Sequence, residues 1–132
     1  MSASFIRRAA VVLTTSLAAS AAFGAADAPQ RLMCATVEAL DCEAGAACFK
    51  GRPSELGAPA FMRIDLENMT IAGSQRTTPI VSMEKRPDSL LLQGAEGAFA
   101  WTLVVGTNDG TMAATLVNRE GAFVLFGSCT AL

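Results

Sequence analysis

The side chains that most often run chemistry in proteins are missing from this chain. It has no histidine and no tyrosine. A serine–histidine–carboxylate triad, a cysteine–histidine pair and a histidine-bound metal are therefore excluded. The four cysteines, Cys34, Cys42, Cys48 and Cys129, lack the paired CxxC spacing of a zinc site. No GxGxxG and no P-loop pattern is present to cradle a nucleotide phosphate. Carboxylates remain. Asp65 and Glu67 stand two apart at the end of a strand-like run, hence on one face, and Asp109 sits in a turn. Two carboxyls held across a cleft do acid–base work in glycosidases, but so short a chain has little left to build the cleft. Solvated strand ends and a turn residue are the plainer reading. The expectation is a non-enzymatic protein with no cofactor.

Other groups have equally plain readings. Arg63, Lys85 and Arg86 form an anion-binding patch only if their strands adjoin; otherwise they are separate surface charges. Asn68-Met69-Thr70 matches a glycosylation acceptor but falls in a tight hairpin. Trp101, the single tryptophan, lies in an alternating run and reads as a core residue before a ligand platform.

An even cysteine count implies two disulfides, with three possible pairings. Cys42 and Cys48 flank a segment symmetric about Gly45, so a hairpin there sets them opposite each other. Cys34 and Cys129 would then fasten the first strand to the last. In the chain-entropy model the short loop contributes roughly 2.5 kcal/mol and the long one roughly 4.5 kcal/mol.

Disulfides belong to oxidising compartments, and the N-terminus agrees. Arg7-Arg8 precedes the charge-free run Ala9–Gly24, and the small residues Gly24, Ala25 and Ala26 follow. This predicts a signal peptide over residues 1–26 and a single domain over residues 27–132. The apolar run is shorter than the ~20 residues of a membrane span. The mature protein is thus expected in the periplasm or secreted, with no membrane span after cleavage. Loss of Arg7 and Arg8 leaves eight basic residues against twelve acidic ones, and net charge moves from −2 to −4. Basic residues so few and scattered give no footprint for nucleic acid.

The positioning elements are read from the C-terminal run Gly97–Cys129. Thr107-Asn108-Asp109-Gly110 and Asn118-Arg119-Glu120-Gly121 are turn signals dividing it into three strands. Phe99, Trp101, Leu103 and Val105 share one face, continued by Met112, Ala114 and Leu116, then by Phe123, Leu125 and Cys129. Upstream, Gln30–Leu40, Phe61–Leu66, Met69–Ala72, Thr78–Lys85 and Leu90–Gln93 read as strands. Asp41 to Cys48 is a stapled loop, Gly94–Gly97 a turn, and Ser54 caps one helical turn ending at Gly57. Strands spaced about ten residues apart predict an all-β fold. The expected form is a small antiparallel up-and-down β-barrel, or a sandwich, of about eight strands with one short helical turn. The large inward residues predict a filled interior. Val104, Val117, Val124 and Phe126 point outwards, either under the Phe49–Pro59 segment or as an apolar patch for a protein partner in the periplasm.

The combination of Cys42…Cys48, Phe61-Met62-Arg63-Ile64-Asp65-Leu66, Thr78-Pro79-Ile80, Leu92-Gln93-Gly94, Trp101 and Phe126-Gly127-Ser128-Cys129 resembles uncharacterised small exported β proteins of proteobacteria. That resemblance implies no activity. In size, export and terminal cysteine the chain is also loosely similar to the periplasmic C-type lysozyme inhibitors, which are small β-barrels. Their cleft-binding loop motif is not recognisable, so no inhibitory residue is carried over. The functional expectation is an exported, non-enzymatic binding or accessory protein of the periplasm. The alternatives are a proteinaceous inhibitor of a cell-wall hydrolase or protease, and a carrier of a small apolar ligand.

Overall fold

The computed structural model describes residues 29–132; the expected signal peptide lies outside the described residues. Ten strands follow one another: β1 (Arg31–Glu43), β2 (Phe49–Gly51), β3 (Phe61–Asp65), β4 (Thr70–Ala72), β5 (Thr77–Pro79), β6 (Ser82–Lys85), β7 (Ser89–Glu96), β8 (Phe99–Gly106), β9 (Thr111–Val117) and β10 (Gly121–Ala131). Nine form one hydrogen-bonded path, β5-β4-β3-β1-β10-β9-β8-β7-β6, and β2 lies beside β1. The fold is an antiparallel half-barrel, a single curled sheet rather than two stacked ones. Its two ends, β5 and β6, are consecutive in sequence. At the bend between them the Ile80 N–H donates to the Met69 carbonyl and the Val81 N–H to the Gln93 carbonyl, both at 2.8 Å. One short segment thus leans on the β4 side with its first half and on β7 with its second.

The start of the chain meets its finish where β1 pairs with β10. Cys34 stands directly opposite Cys129 in that register, and the two are bonded. The Cys129 N–H donates to the Gly110 carbonyl at 2.7 Å, away from β1. Cys34 and Cys129 are therefore a non-hydrogen-bonded pair, the kind in which facing side chains approach most closely. Cys42 and Cys48 form the second bridge across a turn in which Gly45 has a φ of 78°. Both pairings agree with the sequence expectation and fit an oxidising compartment.

Midway along the seam β1 carries a bulge between Thr36 and Glu38. Val37 is extruded there and is 74% exposed. Gly127 faces the bulge, where a Cβ would strike the Ala35 carbonyl oxygen. The bulge is also where β1 changes neighbours, from β3 over Arg31–Ala35 to β2 over Ala39–Asp41. Alternation sends Ile64, Leu92, Leu125 and Cys34 inwards, each under 2% exposed. Each such aliphatic side chain contributes about 1.5–3 kcal/mol.

Several boundaries differ from the sequence reading. Asp41–Glu43 remain in β1 because Phe49 and Gly121–Phe123 pair with them, so the stapled loop begins only at Ala44. β7 runs on through Gly94-Ala95-Glu96, and Glu96 pairs with Phe99 across the two-residue turn Gly97-Ala98. Gly97, at a φ of 57°, makes the turn; Gly94 instead gives room to Trp101. The helical turn is a 3-10 turn over Pro53–Glu55, with Arg52 rather than Ser54 at its N-cap. The Arg52 N–H donates to Glu55 Oε2 at 3.1 Å, so no serine cap is needed.

Two outcomes follow for stability in chemical denaturation. Replacing Cys34 and Cys129 by serine is expected to cost about 4–5 kcal/mol, roughly twice the loss from replacing Cys42 and Cys48. Gly127→Ala is expected to cost about 1–3 kcal/mol through overpacking against the β1 backbone, while Gly73→Ala, which meets only ordinary contacts, costs less.

Candidate functional site

The interior is not uniformly filled. Around the Cys34–Cys129 bridge it is packed by Leu32, Ile64, Leu90, Val105 and Met112. At the other end the wall encloses a half-open cavity of about 610 Å³. This corrects the expectation of a filled barrel, and the reason lies in the partners of the large residues. Trp101 faces Gly94, and Leu103 and Leu125 both face Ala114. Ala39 faces Leu125 across the seam. Trp101, Leu103 and Leu125 each have a small residue on one side, while Leu116 stands between Trp101 and Phe123 on the cavity wall.

The cavity wall is mainly apolar. Met62 and Ile71 come from β3 and β4, Trp101 and Leu103 from β8, Leu116 from β9, and Phe123 and Leu125 from β10. The Phe99 and Phe123 rings meet at 6.0 Å with a tilt of 51°. The indole of Trp101 lies against Gly94, where any Cβ would strike the ring. Its Nε1–H is buried with no partner among the described protein groups.

Two segments frame the opening. Leu56 and Ala58 pack against the core from the stretch after the 3-10 turn, held by Leu56 and Ala58 N–H groups donating to the Pro53 carbonyl at 3.2 and 2.9 Å. The β4–β5 loop is closed by Gly73 N–H donating to the Arg76 carbonyl at 2.8 Å. Arg76 on this loop reaches Glu96 at the end of β7, with Nη1 3.5 Å from Oε1. Among the lining residues these two carry the only charges.

The carboxylates singled out from sequence lie outside this cavity. Asp65 Oδ1 accepts the Asn68 N–H at 2.9 Å, Oδ2 accepts Asn68 Nδ2 at 3.0 Å, and Arg31 Nε stands 3.3 Å from Oδ2. The backbone N–H of Asn68, then its side chain, hold the Asp65 carboxyl below its ordinary range. Asp109 Oδ1 accepts the backbone N–H of Thr111 at 2.9 Å and its hydroxyl at 2.8 Å, which lowers its pKa likewise. Both serve their hairpins. Glu67 is exposed beside the first turn. Arg63, Lys85 and Arg86 do not converge: β1, β10, β9, β8 and β7 lie between β3 and β6 in the path, and Arg86 is bonded to Glu84 at 2.9 Å. Asn68 of the glycosylation match is committed to its turn.

Val104, Val117, Val124 and Phe126 do point outwards. Val104, Ala113 and Phe126 are successive cross-strand partners in one row, and Val117 and Phe126 are 48% and 43% exposed. The Phe49–Pro59 segment leaves them uncovered, because β2 pairs with the other edge of β1. The sequence reading missed Arg76 and Glu96. Glu96 shares the inward parity of Leu90, Leu92 and Gly94, and carrying the strand three residues past Gln93 would have shown it.

Comparison with known proteins finds no matching family model, no matching curated protein and no matching solved structure.

The carboxyl environments fix the acid side of the stability curve. Asp65, Asp109 and Glu84 have folded pKa values below their ordinary ones, so their contribution is present above the carboxylate range and is lost as pH falls through the folded values. With no histidine to titrate, stability against urea is expected to be nearly level from about pH 5 to 7.5 and to fall below about pH 4. The double variant Asp65→Asn/Asp109→Asn should show a shallower acid fall; an unchanged slope would remove these two groups from the account.

Proposed function

We propose that this chain is an exported, non-enzymatic binding protein, periplasmic or secreted, that takes a small ligand with a largely apolar body into the open end of its half-barrel. The observation that carries this reading is the cavity of about 610 Å³. Binding sites for small molecules typically measure about 300–1,000 Å³ and combine apolar walls with a few polar groups. This one has aromatic and aliphatic walls and one ion pair at its mouth. The reading narrows the general binding role expected from sequence and favours the ligand-carrier alternative over a protein-directed inhibitor.

The single tryptophan lies on the cavity wall, which makes intrinsic fluorescence a direct reporter of occupancy. Titration with 1-nonanol is expected to shift or quench Trp101 emission saturably, at one ligand per chain. Ala58→Leu, which pushes a larger side chain into the opening, should weaken binding about tenfold without lowering the melting temperature. A wild-type protein whose emission stays constant up to the solubility limit of the alcohol would rule the carrier reading out.

A further inference from the structure

The rim adds a chemical criterion to the proposed ligand. We infer that the Arg76–Glu96 pair selects the ligand's head group, so that the cavity takes an apolar chain ending in an uncharged polar head and disfavours both carboxylates and ammonium groups. This rests on the ligand-binding reading above and says which class of ligand that site prefers.

The argument starts from where the two charges stand. Arg76 sits on the β4–β5 loop, with three quarters of its side chain exposed, whereas the Glu96 side chain is only 33% exposed. Glu96 is turned inwards because its position on β7 has the parity of Leu92. A carboxylate beside an apolar wall needs a partner, and Arg76 is the cation within reach, 3.5 Å away. The pair therefore leaves the opening without net charge. An incoming carboxylate would gain from Arg76 but be repelled by Glu96 next to it, and it would give up hydration to gain nothing net. An ammonium meets the same balance with signs reversed. A hydroxyl, ester or amide head loses little hydration and can donate to Glu96 or accept from Arg76. Opposed charges held against each other act here as a device against charged competitors, the kind of exclusion on which specificity often depends.

Removing either partner should convert the neutral opening into a charged one. Glu96→Gln leaves Arg76 unopposed, and Arg76→Gln leaves Glu96 unopposed. Both changes lie at the rim, Glu96→Gln being isosteric and Arg76→Gln shortening an exposed side chain, and circular dichroism with a thermal melt confirms that each variant is folded. The experiment compares three probes of equal chain length, 1-nonanol, nonanoate and nonylammonium, by Trp101 emission at low ionic strength.

Wild type should rank 1-nonanol first. Glu96→Gln should improve nonanoate relative to 1-nonanol by about tenfold, and Arg76→Gln should do the same for nonylammonium. Raising the salt to about 0.5 M should shrink both gains, because screening acts on the unbalanced charge. If 1-nonanol binds but all three proteins rank the probes alike, the selectivity inference fails while the ligand-binding reading stands. If wild type already prefers a charged probe, the inference also fails. If no probe alters emission in any of the three proteins, the ligand-binding reading fails and takes the inference with it.

Discussion

The pairing of β1 with β10 turns a string of hairpins into a shell. Apart from β1 with β3, which passes over β2, every other neighbour relation in the sheet joins consecutive strands; this one joins residues 95 positions apart at the disulfide. Closing so long a loop is entropically expensive, and the disulfide removes much of that expense from the unfolded side of the balance. The seam also fixes curvature. Its bulge at Thr36–Glu38 lets β1 bend and hand over from β3 to β2, and Gly127 leaves the backbone room to do so. Without the seam β1 and β10 would be open edges, the part of a sheet most prone to pair with another chain.

How far the sequence disclosed this depends on which signal each part uses. Alternation in β8, β9 and β10 was legible because a half-buried strand must present one face to the core, and no residue there breaks the period. The disulfide pairing was legible because the Gly45-centred loop leaves only one other pair. The extent of β7 was misread because Gly94 has the appearance of a turn residue. Its role comes from Trp101 on the next strand, which no local pattern contains. The same long-range dependence hid β2, a three-residue strand that exists only because β1 overhangs β3.

The cavity was illegible for a related reason. Large inward residues are legible along single strands, but filling depends on what faces them across the sheet. Gly94 and Ala114, read strand by strand, are small members of an alternating series. Read across the register, Gly94 is the room into which the Trp101 indole packs, and Ala114 stands between Leu103 and Leu125 on the cavity wall. Period-two patterning specifies which side chains point in; only register specifies whether they add up to a packed core.

The distribution of charge then connects fold and site. Strands β8, β9 and β10 contain no acidic or basic residue, so the wall they give to the cavity cannot hold a charge on either face. Charged groups enter the opening only from the opposite side, through the β4–β5 loop and the end of β7, and they arrive as a compensated pair. An interior built this way has no means of stabilising a buried ion beyond that one pair. On the proposed reading, the half-barrel would hold an uncharged guest by shape and apolar contact, and polar discrimination would be confined to the rim, where water still screens part of the interaction.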